Sequence, residues 1–263
     1  MEVPTIRPRF EFTVVSSVFI PLSGIILSES LLFVQLPRLA IAGHVATLLV
    51  CMLGPLRWEI DIPVFQAFTL IPAFRLLNLG MPIVFESPLL IILIIYLPMI
   101  PATIFIATVN RSVDLRIGWR RAILLLPVGA VIAILIAWVE HGILYPAPMV
   151  AELNPRQLGW VAVIMITQVA LVEELLFRGI LQGTLIDRLG TIRGLFLAAM
   201  VFAMMHSIHF STTEIGLAFL AGLVYGILYY LSESLLLVIL IHGIVNILLY
   251  AIFPIRGAVI LLG

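Results

Sequence analysis

The chain has 263 residues, of which 63% are hydrophobic and 11% are charged, and its formal net charge is zero. A soluble domain has about 45–50% apolar and about 25% charged residues, so this composition excludes an ordinary soluble domain and a disordered chain. The balanced charge and the lack of a long basic patch exclude a nucleic-acid partner. The single cysteine, Cys51, excludes a disulfide framework and a thiolate zinc cluster.

Runs of about 20 mainly apolar residues, the length needed to cross a bilayer as a helix, recur along the whole chain. They predict an all-α polytopic membrane protein with eight or nine spans, depending on whether Arg75 and Pro82 interrupt the third run. The predicted spans cover residues 12–36, 39–56, 63–84, 88–109, 121–145, 157–188, 194–210, 213–231 and 234–254.

The first half of the chain has only scattered ionisable residues in its spans. They are Glu29, His44, Arg75, Glu140 and His141. An ionisable side chain in a membrane is costly, but one near an interface can extend its charged end to water. We therefore interpret these residues as interfacial, or as partners in a single hydrogen bond inside the membrane.

The loop at 110–121 contains the densest group of basic residues in the chain, namely Arg111, Arg116, Arg120 and Arg121. The positive-inside rule places this loop in the cytoplasm. With nine spans, the N-terminus with Arg7 and Arg9 and the loop at 187–193 lie on the same side.

Polar residues concentrate in three apolar segments of the last third of the chain. They are Glu173, Glu174 and Arg178 in VEELLFRGIL, His206 and His209 in FAMMHSIHF, and His242 and Asn246 in IHGIVN. Residues four apart share a helix face, so Glu174 and Arg178 are expected to form an ion pair. Glu173 is rotated by about 100° from Glu174 and has no local counter-charge, which suits a general base.

A depth estimate tests whether these residues meet. At about 1.5 Å per residue, Glu173 and His206 lie roughly 22 Å and 20 Å from the loop at 187–193. His242 and Asn246, counted from Glu233, lie roughly 14 Å and 20 Å from the same face. The four side chains are therefore predicted to share one layer of the membrane.

This set of residues suits the hydrolysis of an amide bond. A buried glutamate beside a histidine can deprotonate a water molecule, and a second histidine with an amide can donate hydrogen bonds to an oxyanion. The sequence has no G-x-S-x-G elbow, no H-E-x-x-H helix and no pair of aspartates within the spans, which are the marks of rival chemistries.

Three ordered motifs in residues 170–250 resemble those of the CPBP family of CAAX-processing and bacteriocin-processing membrane proteins, which include the Rce1-type prenyl-protein endopeptidases. The motifs are Glu173-Glu174-x-x-x-Arg178, Phe202-x-x-x-His206 and His242-x-x-x-Asn246. Each motif alone is a weak signal, but three in this order on apolar spans are a specific one. The N-terminal half shows no such resemblance.

The resemblance implies a glutamate-dependent intramembrane endopeptidase without a metal or other cofactor. By motif position, Glu173 is the general base, His206 is its partner on the catalytic water, and His242 and Asn246 form the oxyanion site. Glu174 and Arg178 brace the helix, and Phe202 is a packing residue. Some relatives are known only as immunity factors.

Two other classes of function remain open. One is a zinc metallopeptidase with Glu173, His206 and His242 as ligands, although the chain lacks the paired-histidine helix. The other is non-catalytic, either an immunity or scaffold protein or a proton-coupled transporter, because glutamate and histidine residues in membranes also relay protons.

The chain divides into N-terminal membrane helices of unknown role, residues 1–150, and a CPBP-like catalytic core, residues 151–263. We expect an integral protein of a prokaryotic plasma membrane. Its partners are the lipid bilayer and a protein or peptide substrate, prenylated or otherwise hydrophobic at its C-terminal segment. His209 either extends the site or meets the interface, and Gly222-x-x-x-Gly226 predicts close helix packing.

Overall fold

The computed structural model describes residues 8–81, 85–110 and 118–256, with side chains from residue 13 to residue 255. Within these ranges the chain forms helices and short turns without a strand, and nine helices are long and apolar enough to cross a membrane. They are α1 Pro8–Phe33, α2 Pro37–Arg57, α3 Ile62–Gly80, α4 Pro88–Asn110, α5 Trp119–Leu144, α6 Pro155–Leu189, α7 Thr191–His209, α8 Thr212–Ser232 and α9 Leu235–Ile255. The predicted all-α polytopic membrane protein is confirmed.

Several helices begin at a polar side chain that caps the first turn. Asp61 accepts a hydrogen bond from the Val64 N–H at the start of α3, and Asn154 accepts one from the Gln157 N–H at the start of α6. Ser211 and Ser234 cap α8 and α9 in the same way. These caps satisfy backbone N–H groups that no residue within the helix can reach.

Arg75 does not interrupt the third span, which settles the choice between eight and nine spans in favour of nine within the described residues. Helix α3 continues through this residue to Gly80 because the buried Arg75 side chain is paired with Glu29 of α1. Pro82, the second expected interruption, lies outside the described residues, as do Arg111 and Arg116 of the basic loop. The fourth span has a short break instead, between Pro88–Tyr96 and Met99–Asn110.

The longest helix, α6, lies at the centre of the bundle. It contacts α3, α4, α7, α8 and α9 along its length. The largest hydrophobic cluster joins its residues to those of the N-terminal helices and of α7, for example Phe177 to Phe68 and Val201, and it includes the buried Cys51. The N-terminal helices therefore pack directly against the segment that carries the first motif.

Two ion pairs mark one end of the bundle, and a backbone hydrogen bond lies at the other. Arg121 of α5 pairs with Glu233 beyond α8, and Arg188 of α6 pairs with Asp61 before α3, each at 2.5 Å. At the opposite end, the Met149 N–H donates to the carbonyl oxygen of Tyr250. We call the end with Arg121 and Arg188 the arginine end. Because successive spans cross the membrane in opposite directions, α3, α5, α7 and α9 all begin at this end.

Candidate active site

Glu173 and Glu174 lie in the middle of α6, on a short α-helical turn between two π-helical segments. Segments of π-helix are rare and frequently occur at functional sites. Because consecutive helical residues point about 100° apart, the two carboxylates have different surroundings. The Glu174 side chain is fully buried, whereas that of Glu173 is 13% exposed and lines a cavity.

The Glu174 carboxylate joins the helices around the site. Its Oε1 accepts hydrogen bonds from Arg178 Nη1 at 2.9 Å and from His242 Nδ1 at 2.7 Å. The Arg178 guanidinium lies 4.3 Å from the centre of the Phe202 ring and donates to the carbonyl oxygen of Gly222. The predicted Glu174–Arg178 pair is confirmed, and its contacts link α6 to α7, α8 and α9.

His242 of α9 lies between the two carboxylates. Its Nδ1 donates to Glu174, so its Nε2 is the ring nitrogen that faces Glu173, with 3.9 Å between that nitrogen and Glu173 Oε2. The Tyr225 ring stacks on the imidazole at a centroid distance of 5.3 Å. A histidine held by a carboxylate on one nitrogen presents the other nitrogen in a fixed direction.

Tyr96 of α4 is a partner of Glu173 that the sequence did not reveal. Its hydroxyl donates a hydrogen bond to Glu173 Oε1 at 2.5 Å. Hydrogen bonds to an ionised group are short and strong, so this contact orients the carboxylate. A tyrosine within an apolar run is ordinary in a membrane helix, and nothing near it in the sequence points to a glutamate 77 positions away.

His206 lies on a single 3₁₀ turn, Met205–His209, that ends α7. Its Nδ1 donates to the carbonyl oxygen of Phe202 at 3.0 Å, and the two rings are 4.8 Å apart. Since a carbonyl oxygen only accepts, Nδ1 carries the proton and Nε2 is the acceptor in the neutral ring. The His206 ring therefore has one nitrogen free for a water molecule in the cavity.

A buried polar network from the N-terminal helices holds this 3₁₀ turn. Glu29 of α1 accepts from Arg75 Nε at 2.7 Å and from the Ser207 hydroxyl at 2.5 Å, and His44 Nε2 lies 3.3 Å from the same carboxylate. Arg75 also donates to the carbonyl oxygen of Met205. The turn is thus bonded on both sides of His206.

This network corrects the interpretation of the scattered polar residues. Glu29, His44 and Arg75 are at most 2% exposed and do not extend to an interface; instead, they form one cluster. Glu140 also differs from the expectation, because its side chain lines the central cavity. His141 packs edge-on against the Phe253 ring. Spacing along the chain could not indicate these contacts because they join different helices.

The cavity has a volume of about 300 Å³ and lies among the helices from α3 to α9. Glu173, His206, His242 and Asn246, which the depth estimate placed in one layer, all line it. Asn246 lies one turn beyond His242 on α9 and is 6% exposed. The cavity therefore brings together a carboxylate, two imidazoles and an amide from three helices.

The smaller sequence predictions have clear outcomes. His209 lines the cavity, and its ring lies 6.0 Å from that of His206. A Cβ atom on Gly222 would come within 3.2 Å of Ala199 and Phe202, and one on Gly226 would come within 2.6 Å of the Gln182 side chain. Both glycines therefore allow close helix packing, as predicted.

The zinc alternative requires three side chains that converge on one point. Within the part of the chain that the structure describes, no three His, Cys, Asp or Glu side chains form a group that could hold a metal ion. His242 directs one ring nitrogen to Glu174, and His206 directs one to a backbone carbonyl. The geometry therefore does not favour this alternative.

The segment that carries the three motifs resembles a known protein family. Residues 155–248 match the model for type II CAAX prenyl endopeptidase Rce1-like proteins, a family of membrane proteases. The matched segment includes all three motifs. No curated protein and no solved structure matches the chain. From the start of α6 through most of α9, this integral membrane protein is therefore similar to the Rce1-like proteins of the CPBP family.

Proposed function

We propose that the protein is an intramembrane endopeptidase in which Glu173 activates a water molecule to hydrolyse a peptide bond. The observation that carries this proposal is the position of Glu173 in a cavity inside the membrane spans, beside His206, His242 and Asn246. The match to a protease family gives independent support. The arrangement supplies a base, a second water ligand and oxyanion donors without a serine or cysteine nucleophile.

The first step is attack by water. Glu173, oriented by Tyr96, takes a proton from a water molecule that also donates a hydrogen bond to His206 Nε2. The water oxygen bonds to the substrate carbonyl carbon, and the carbonyl π electrons move to its oxygen. Because Glu173 and His206 each accept a hydrogen bond from the same water molecule, a lone pair of the water oxygen is directed at the carbonyl carbon.

The second step is collapse of the tetrahedral intermediate. The Asn246 amide and the His242 Nε2–H, when that nitrogen carries a proton, donate hydrogen bonds to the oxyanion. The C–N bond then breaks, and Glu173 returns its proton to the leaving amine. The products are a carboxylic acid and an amine, and the base regains its initial state.

The proposed substrate is a membrane-associated segment, prenylated or otherwise hydrophobic near its C-terminus. Apolar side chains form much of the cavity wall, among them Phe74, Ile92, Ile95 and Val245. Such a wall favours apolar groups over a water-exposed peptide. Its position among membrane helices suits a substrate that reaches the site from the bilayer.

The test compares the wild type with Glu173→Gln and His206→Ala in proteoliposomes. Internally quenched peptides that carry a farnesyl group or a plain alkyl chain serve as substrates. General-base catalysis contributes about 10²- to 10⁴-fold, so Glu173→Gln should lower kcat by about that factor. The fluorescence increase measures the rate.

Glu86→Gln is the matched control, because Glu86 is exposed and does not line the cavity. Its kcat should equal that of the wild type. Wild-type kcat in Glu173→Gln would refute the proposed base. Loss of wild-type activity in a chelator, restored by zinc, would instead support the metallopeptidase alternative.

A further inference from the structure

The cavity wall has two carboxyl groups beyond the proposed base. Among the described residues, the carboxylates that line it are Glu140, Glu173 and Glu214, and Arg75 is the guanidinium. Arg75 is already paired with Glu29 at 2.7 Å. Glu140 and Glu214 therefore have no cationic partner in the cavity wall, and the proposed mechanism uses neither.

Glu214 lies in the first turn of α8 and is 1% exposed. Ser211 caps this helix by accepting from the Glu214 N–H, the first half of a capping box. The second half would be a bond from the Ser211 N–H to the Glu214 carboxylate, and the structure does not show it. Glu214 Oε2 has no hydrogen-bond partner in the described part of the chain, and the side chain lines the cavity.

Glu140 approaches the same space from α5. It makes no hydrogen bond or ion pair with the described residues, and its side chain lines the same cavity as those of Glu214 and Glu173. An unpaired carboxylate in an apolar environment is costly, and a second one nearby increases that cost. A cation placed between the two would remove both penalties.

Both residues lie away from the arginine end. Glu140 is near the last turn of α5 and Glu214 is in the first turn of α8. Arg121 and Arg188 mark the other end of the bundle. By the positive-inside rule, the acidic part of the cavity therefore faces the side of the membrane opposite the cytoplasm.

We propose that Glu140 and Glu214 form a subsite for a lysine or arginine side chain of the substrate. This inference rests on the proposed function, because it identifies the cavity as a peptide site. The proposed subsite implies a substrate that is an apolar segment with a basic residue near the cleaved bond. The subsite selects by charge, and Glu173 performs the chemistry.

Peptide binding tests this subsite without cleavage. The protein carries Glu173→Gln in nanodiscs, and the probes are fluorescent, acylated apolar peptides with Arg, Gln or Glu at one scanned position. The best Arg peptide should bind about tenfold more tightly than its Gln counterpart, a difference of about 1.4 kcal/mol. Adding Glu140→Gln or Glu214→Gln should abolish this preference, whereas adding Glu86→Gln should leave it unchanged.

Equal affinity for the Arg and Gln peptides would overturn the subsite even if Glu173-dependent cleavage is observed. An Arg preference that needs Glu140 and Glu214 would support it even if cleavage fails. Thermal unfolding gives a second readout, because removal of an unpaired buried charge should leave Glu214→Gln at least as stable as the wild type. A clear fall in Tm together with an Arg preference that survives Glu214→Gln would assign Glu214 to helix capping and overturn the proposal.

Discussion

Glu173 and Glu174 are chemically identical neighbours with different surroundings. Glu174 Oε1 accepts hydrogen bonds from Arg178 and His242, and the side chain is fully buried and does not line the cavity, so this carboxylate does not face a substrate there. Glu173 keeps one oxygen toward His242 and the cavity, while Tyr96 binds the other. The helical rotation of about 100° between consecutive residues is the origin of this difference.

Tyr96→Phe tests the orientation of Glu173. Loss of one hydrogen bond to a charged group costs about 1.5 kcal/mol, so kcat should fall about tenfold while KM changes little. Steady-state kinetics on the quenched peptides measures both constants. Tyr230→Phe, at an exposed position of α8, is the control. An unchanged kcat in Tyr96→Phe would show that the phenol has no positioning role.

The 3₁₀ turn after α7 is the element that connects the two halves of the chain. His206 lies on it, and Glu29, Arg75 and Ser207 bond it to the N-terminal helices. Short 3₁₀ segments at helix ends have weaker internal hydrogen bonds than α-helix, so external partners matter more for their position. The N-terminal helices thus position one side of the site.

A double-mutant cycle separates stability from positioning in this element. Arg75→Gln leaves the Glu29 carboxylate buried without a counter-charge and should lower stability by about 3–5 kcal/mol. Adding Glu29→Gln should restore part of that loss, because the unpaired charge is gone. Unfolding in detergent measures this recovery.

The kcat of the double variant should remain at least about tenfold below the wild type, because the bonds to Met205 and Ser207 are weakened. Recovery of both stability and kcat would show that Glu29 and Arg75 only neutralise each other and do not position the turn. Recovery of neither would show that its contribution is not electrostatic.

At the scale of the whole molecule, the bundle has two chemically different ends. Arg121 and Arg188 lie at the arginine end, and Glu140, Glu152 and Glu214 lie toward the other. The cavity is lined by residues from the second half of α5, from α6 between Met165 and Phe177, and from α8 between Glu214 and Tyr225. It therefore approaches the surface of the bundle on the acidic side.

Cysteine labelling tests this orientation. Cys51 is a free, buried cysteine, and Cys51→Ser gives a background without a thiol. In bacterial spheroplasts, a membrane-impermeant maleimide should label Glu152→Cys and should not label Asp187→Cys, two exposed positions at opposite ends. Labelling after lysis controls for reactivity. The reverse pattern would place the arginine end outside.

The sequence by itself determined the features that depend on local chemistry. A backbone in lipid must satisfy its own hydrogen bonds, so each apolar run becomes a helix. The sequence predicted eight or nine spans, and the described part of the chain has nine candidate spans. Helical spacing likewise determined the Glu174–Arg178 pair. The depth estimate predicted that Glu173, His206, His242 and Asn246 meet, because span lengths fix depth.

Only the tertiary structure decided which helices are neighbours. Tyr96 reaches Glu173 across 77 positions, Arg75 reaches the Met205 carbonyl across 130, and Glu29 reaches Ser207 across 178. Depth along the membrane normal follows from counting residues, but lateral position depends on how all the side chains pack together. For that reason the presence of Glu140 and Glu214 in the wall of the same cavity became visible only in the folded molecule.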